Sequence, residues 1–141
     1  MSAVRRSDRG SAIVEFHFLG ILLLVPLVYI LLAVLDVQRT SYGVTQAARE
    51  AGRIYVATGD ETAARLAAQV ALRDQGVEAG AAEIRLECST SPCYQPGAEV
   101  TVVVGSTVRL PFVPDVLAGA VSAQIPVGAA HVSVVDRFRE L

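Results

Sequence analysis

Residues 10–35 read GSAIVEFHFLGILLLVPLVYILLAVL, a long apolar segment with one acidic residue, Glu15, near its start. Its last 20 residues, 16–35, carry no formal charge, and Asp36 follows them directly. At a rise of about 1.5 Å per residue, such a helix covers the roughly 30 Å hydrocarbon core of a bilayer. We therefore predict a single transmembrane helix over residues 11–36.

The alternative for an apolar N-terminal stretch is a secretory signal peptide that is removed. Such peptides have apolar cores of about 7 to 15 residues, followed by a small-residue cleavage site. Here the core is longer, and Asp36, Gln38 and Arg39 follow it without an Ala-x-Ala pattern. The segment is interpreted as a retained membrane anchor.

The charges on the two sides of the anchor predict its orientation. Residues 1–10 contain three arginines and one aspartate, whereas residues 36–141 contain nine arginines and twelve acidic residues. Because short basic flanks stay in the cytoplasm, we expect a single-pass protein of the cell membrane, with residues 1–10 cytoplasmic and residues 37–141 extracytoplasmic. The formal net charge of −2 gives no indication of a nucleic-acid surface, so no nucleic-acid partner is expected.

The helical pattern continues beyond the anchor. A stripe of small and apolar residues recurs at helical spacing, and polar residues fill the other faces; the stripe comprises Val44, Ala47, Ala48, Ala51 and Tyr55. We predict one helix over residues 12–56, about 68 Å long, with a kink or a loosened turn at Pro26. The stripe either covers the chain's own small domain or also packs against copies of the same helix.

A second helix is predicted after a break at residues 58–60. Asp60 is a candidate N-cap and Gly76 a candidate C-terminal stop. The predicted apolar stripe of this helix is Ala64, Ala67, Ala68 and Ala71, widened by Leu66, Val70 and Leu72.

The pattern changes from helical to alternating after Gly80. Three strands are predicted: one around residues 84–88, one over 99–110 and one over about 121–134, the last bulged or at an edge because of Pro126 and Gly128. The fold class is therefore α+β, with a small antiparallel sheet on the outer half of the long helix. The outer domain is expected to be helical over residues 37–76 and mainly strands over 82–135.

Cys88 and Cys93 flank a short loop between the first two predicted strands. In an extracytoplasmic domain this spacing favours a disulfide, which for so short a loop stabilises the fold by about 2 kcal/mol. A metal site needs more ligands than lie nearby in the sequence, and we expect none. His131, in an alternating strand region, is interpreted as a structural histidine.

No residue set predicts catalysis. The chain has no Ser/His/Asp spacing signature and no Gly-rich phosphate loop, so we expect neither an enzyme nor a cofactor.

Glu15 is the one unusual polar residue, since a carboxylate at the bilayer centre costs about 2.5 to 3.5 kcal/mol. It either reaches water from within one turn of the cytoplasmic interface or has a partner that offsets this cost. His17 lies near it and is expected among the lipid headgroups.

The residues around Glu15 resemble the class III prepilin signal of type IV pilins: Gly10, then Ser11 and three further residues, then Glu15 with Phe16 and an apolar helix. The resemblance implies that a prepilin peptidase cuts between Gly10 and Ser11 on the cytoplasmic side and leaves the helix in place. It also implies that Glu15 pairs, during assembly, with the terminal amine of a neighbouring subunit. The two charges are each costly alone in low dielectric and much less so together.

A second resemblance, over residues 9–56, is to the TadE-like minor pilins and pseudopilins of tight-adherence (Flp) pilus systems. The residues that carry it are Asp36, Arg39, Tyr42, Ala48, Arg49 and Glu50. It implies a type IV pilin-like fold and a role in assembling or initiating the pilus. The implied partners are the membrane, other pilin or pseudopilin subunits, the pilus assembly platform and the prepilin peptidase.

Two alternatives stay open. One is a pseudopilin of a type II secretion-like system, which is structural but serves export. The other is an uncleaved, membrane-anchored binding domain that keeps its N-terminal ten residues and recognises a ligand with its outer sheet.

Overall fold

The computed structural model describes residues 9–110 and 124–138. They form a long helix α1, Arg9–Thr58, a second helix α2, Glu61–Asp74, and three strands, β1, Glu83–Cys88, β2, Glu99–Arg109, and β3, Gln124–Val134. A short 3₁₀ turn at Ala79–Ala81, absent from the sequence prediction, lies between α2 and β1. The first three residues of the predicted third strand, 121–123, and most of the basic N-terminal flank lie outside the described residues.

Helix α1 has 50 residues, a length of about 75 Å. It begins three residues before the predicted start and ends two residues after the predicted end. It continues through Pro26 as one helical element. Its end follows local chemistry, because Gly59 has a φ of +73°, which an L side chain rarely adopts, and its amide donates to the Tyr55 carbonyl.

The predicted caps of α2 are confirmed. Asp60 Oδ1 accepts hydrogen bonds from the amides of Thr62 and Ala63 at 2.8 and 3.2 Å. At the other end Gly76 has a φ of +71° and its amide donates to the Arg73 carbonyl, while the Val77 amide donates to the Leu72 carbonyl. This pair of bonds is a Schellman motif, which stops the helix.

The predicted stripe of α2 is partly wrong. Ala64, Ala68, Ala71 and Leu72 are buried as predicted, but Leu66 and Val70 are 58% and 48% exposed. The buried face is narrower than the sequence suggests because α1 covers only one side of this alanine-rich helix.

The sheet is antiparallel, with β2 in the centre and β1 and β3 at its edges. The predicted edge position of the third strand is confirmed, whereas the bulge is not: pairing is continuous from Glu99 opposite Val134 to Arg109 opposite Gln124, through Pro126 and Gly128. Proline fits because an edge strand has one side of its backbone without a strand partner.

Helix α1 covers one face of the sheet and α2 packs on α1. The second half of α1 packs against β2, β3 and α2, and Arg65 of α2 donates through Nη1 to the Ile84 carbonyl of β1 at 2.6 Å. The core combines the alternating valines Val100, Val102 and Val104 with the small residues of both helices. The predicted stripe of α1, from Val44 to Tyr55, is buried, so it covers the chain's own domain. We call residues 43–138 of the described chain the α+β domain.

Candidate assembly surface

The first half of α1 has no core of its own. It is the one described helix long and apolar enough to cross a membrane, with a mean hydropathy of 3.0 over its most apolar window and no part of that window buried. From Ile13 to Leu35 its large aliphatic and phenylalanine side chains are between 41% and 75% exposed. Such a length of exposed apolar side chains is typical of a helix that could lie in lipid or pack against other helices.

Glu15 and Phe16 lie near the start of this apolar segment, and both are exposed. Phe16 packs edge-on against His17, with ring centroids 6.1 Å apart. His17 Nδ1 donates to the Ile13 carbonyl at 2.9 Å, so this histidine bonds to its own helix and not to Glu15. Within the described residues Glu15 has no ion pair or hydrogen bond.

Gly10 and Ser11 lie in the first turn of α1. That turn contains no acidic residue to stabilise the positive end of the helix dipole. The first four amides of an α-helix have no partner within the helix.

Asp36 and Arg39 follow the apolar segment directly and line a polar cleft of about 370 Å³. The cleft lies between α1, the loop after α2 and the end of β2. Its other charged residues are Glu78 and Arg109, and Thr40, Ser106 and Thr107 add hydroxyl groups. The sequence pattern indicates Asp36 and Arg39 but not Glu78 and Arg109, which are distant from them in the chain.

The remaining residues of the TadE-like resemblance divide between core and surface. Ala48 is fully buried, whereas Tyr42 is 72% exposed and Arg49 is exposed. Glu50 is half-buried and accepts two hydrogen bonds from Arg53, at 2.6 and 3.0 Å, which lowers the pKa of the Glu50 carboxyl. Tyr42 and Arg49, seven residues apart, lie on nearly the same side of α1, away from the sheet.

A groove of about 670 Å³ runs between α1 and α2 on the side away from the sheet. It is mainly apolar, and it includes Leu66 and Val70, the two exposed residues of the predicted α2 stripe. Ile54 lines its α1 side, and Glu50 and Asp74 add carboxylates.

The predicted disulfide between Cys88 and Cys93 is present, with a Cα–Cα distance of 5.3 Å. The next residue, Tyr94, packs edge-on against Tyr55 of α1, with ring centroids 6.1 Å apart. A Cβ added at Gly59 would lie 2.9 Å from the Tyr94 ring. The disulfide loop therefore holds an aromatic ring over the turn between the two helices. The pKa of Tyr55 is raised, mainly because the side chain is buried and in addition because Glu61 carries a negative charge nearby.

Helix α1 and strand β3 are in close contact at Gly52, for which the sequence predicts no role. A Cβ added there would clash with Ser133 Oγ of β3, while the His131 ring lies 3.5 Å away. His131 is half-buried at this contact, opposite Val102 in the register. The signal available in the sequence was the recurrence of small residues at helical spacing, with Ala48 and Gly52 four residues apart on one face of the helix, which permits a close neighbour.

The described residues show no candidate metal centre. No group of three or more His, Cys, Asp or Glu side chains in residues 9–110 and 124–138 could hold a metal ion. The features that could engage a partner are the apolar helix with Glu15, the polar cleft and the groove between the helices. Comparisons with protein-family models, with curated proteins and with solved structures give no match to this chain.

Proposed function

We propose that this chain is a TadE-like minor pilin or pseudopilin that helps to assemble or initiate a tight-adherence (Flp) pilus. In this proposal a prepilin peptidase cuts after Gly10, residues 11–36 cross the membrane, and the α+β domain is extracytoplasmic. The observation that carries the proposal is α1 itself: one helix with an exposed apolar first half, a lone carboxylate near its start and a second half built into a small α+β domain.

The free-energy cost of an unpaired Glu15 carboxylate in an apolar environment supports an assembly role. Its carboxylate lies within an exposed apolar helix and has no partner in the described residues. A neighbouring subunit cut before Ser11 would bring an amine on the same type of helix. Pairing these two charges in low dielectric removes most of the cost that each carries alone. Glu15 and Phe16 would thus lie at the contact between adjacent membrane helices.

The size of the domain supports a minor rather than a major subunit. The residues after the proposed cut, 11–141, number 131. Its α+β domain has a core of its own and a disulfide loop, whereas the major pilins of these systems are mostly bare helix. The proposed partners are the membrane, other pilin or pseudopilin subunits, the assembly platform and the prepilin peptidase.

The first experiment is the intact mass of the protein recovered from its native membrane. A chain that begins at Ser11, with or without one methyl group, supports prepilin processing. A chain that keeps the residues before Ser11 would contradict it and would favour the membrane-anchored binding domain instead.

The second experiment tests assembly with Glu15→Ala, using Glu87→Ala as the matched control because Glu87 is an exposed carboxylate of β1. We expect Glu15→Ala to insert normally but to abolish or strongly reduce pili, with Glu87→Ala unchanged. Normal pilus numbers with Glu15→Ala would contradict the pairing role. If export of proteins fails while pili are unaffected, the type II secretion-like alternative is favoured.

A further inference from the structure

The polar cleft next to the membrane segment combines two cations and two anions. Arg39 and Arg109 line it together with Asp36 and Glu78. Among the described residues, none of these four side chains has an ion pair or a hydrogen bond. Two guanidinium groups and two carboxylates in one cleft, not paired with each other, leave both kinds of charge available to a ligand.

The loop that forms one wall of the cleft is held in place by hydrogen bonds and by packing against α1. The loop after α2 is fixed by the Schellman bonds at Gly76 and Val77. It packs against α1 at Gly43, where an added Cβ would lie only 3.1 Å from Val77 Cγ2. Arg39 Nη1 lies 3.9 Å from the position of a Cβ on Gly76, so its side chain extends over this loop.

The position of the cleft along α1 indicates its depth relative to a membrane that the helix crosses. The uncharged segment ends at Leu35, and Arg39 follows four residues later, about 6 Å further along the helix axis. The headgroup layer on each side of the hydrocarbon core is about 5 to 8 Å thick. A chain anchored by this helix holds the cleft at the depth of the lipid headgroups.

We propose that the cleft binds the headgroup of a zwitterionic phospholipid of the phosphoethanolamine type. Arg39 and Arg109 would hold the phosphate, since guanidinium is the preferred partner of phosphate oxygens, and Asp36 and Glu78 would hold the ammonium. The balanced charge favours this ligand over an anionic lipid, which the two carboxylates would repel. The inference depends on the membrane-anchored placement within the proposed function but not on cleavage after Gly10.

The test is native mass spectrometry of the full chain in detergent, titrated with dihexanoyl phosphatidylethanolamine. We expect one saturable adduct per chain. Dihexanoyl phosphatidylglycerol, which carries the phosphate but no ammonium, should bind more weakly. Soluble phosphoethanolamine and inorganic phosphate distinguish a lipid site from a free-phosphate site: if either binds as tightly as the lipid, the lipid proposal is overturned.

Two double variants separate the two halves of the ligand. Arg39→Gln with Arg109→Gln should weaken binding of both lipids by about tenfold or more. Asp36→Asn with Glu78→Gln should weaken phosphatidylethanolamine to a similar extent, while binding of phosphatidylglycerol stays the same or becomes tighter. Replacing both arginines by lysine should restore part of the binding, which a merely structural role would not predict.

The matched control is Glu99→Gln with Arg137→Gln, an acid and a base at the opposite end of the sheet from Arg109. This variant should bind both lipids as the unmodified chain does, and circular dichroism should show the same helix content for all variants. Equal affinity for the two lipids, or binding that none of the cleft variants changes, would overturn the proposal. An uncut N-terminus in the mass measurement would contradict the pilin function and leave this result unaffected.

Discussion

The two halves of α1 belong to one helix but have opposite surfaces. The first half carries large side chains that are exposed, such as Phe16 at 75% and Leu23 at 65%. The second half carries small side chains that are buried, such as Ala47, Ala48 and Ala51 at 0%. Large apolar side chains suit lipid, which adapts to any shape, whereas small ones suit a protein neighbour whose backbone approaches closely. The difference shows that residue size, not hydrophobicity alone, indicates which half meets a folded partner.

Among the substitutions considered, Ala48→Leu in the second half of α1 should destabilise the α+β domain most. Ala48 is fully buried in the core, and adding bulk there should destabilise the α+β domain by about 3 kcal/mol. The measurement is urea unfolding of the chain in detergent, followed by circular dichroism.

Leu22→Ala is the matched control in the first half, where Leu22 is 58% exposed. It should leave the unfolding free energy of the α+β domain unchanged. Equal destabilisation by both changes would show that the two halves do not differ in the way described.

Replacing both cysteines, Cys88→Ser with Cys93→Ser, should destabilise the domain by about 2 kcal/mol. Tyr94 directly follows the loop that they close, and it packs against Tyr55 at the far end of α1. Near-ultraviolet circular dichroism should show a weaker tyrosine signal as this contact loosens. An unchanged signal and an unchanged midpoint would exclude a role of the disulfide in holding Tyr94.

Gly52→Ala should destabilise the domain by about 1 kcal/mol or more, because the new methyl group clashes with Ser133 Oγ while the helix itself gains from alanine. Combining it with Ser133→Ala should recover most of the loss, since the clashing oxygen is removed. Gly80→Ala is the control, because nothing lies within 4 Å of a Cβ at Gly80. A double variant as unstable as Gly52→Ala would mean that Ser133 is not the neighbour that matters.

Glu50→Gln should have the smallest effect, because the Glu50–Arg53 pair is on the surface. Arg53 lowers the pKa of Glu50 in the folded chain, so the pair contributes stability above the unfolded pKa of the carboxyl, near 4.5. This contribution is lost as the pH falls through the lowered folded pKa. Thermal midpoints of the two chains should therefore differ slightly at pH 7 and converge in acid; a difference that grew in acid would contradict this assignment.

The parts of the fold that the sequence predicts are those set by local chemistry. The helix break at Gly59, the Asp60 cap, the stop at Gly76 and the alternation of Val100, Val102 and Val104 each depend on a few adjacent residues. The wrong assignments depend instead on contacts with elements that are distant in the chain. Leu66 and Val70 are exposed because of where α1 lies. For β3 the sequence left a bulge and an edge position open, and the structure has the edge position with continuous pairing through Pro126.

In the candidate sites, too, contacts between nearby residues were predictable and contacts between distant segments were not. The Cys88–Cys93 bond was predictable because its partners are five residues apart. The contact of Gly52 with Ser133 and that of Gly59 with Tyr94 were not, since each joins segments that only the folded sheet brings together. The polar cleft combines residues 36 and 39 with 78 and 109, and no pattern within α1 indicates the last two.

The continuity of α1 has a mechanical consequence. The helix is a single element from residue 9 to residue 58, so no hinge separates the apolar segment from the sheet that packs on it. Residues 35–55 extend about 30 Å along the axis. A change of about 10° in the tilt of an anchored helix, well within the range that such helices adopt, would move the far end of the domain sideways by about 5 Å. Bilayer thickness and neighbouring helices would thus set the direction in which the domain points.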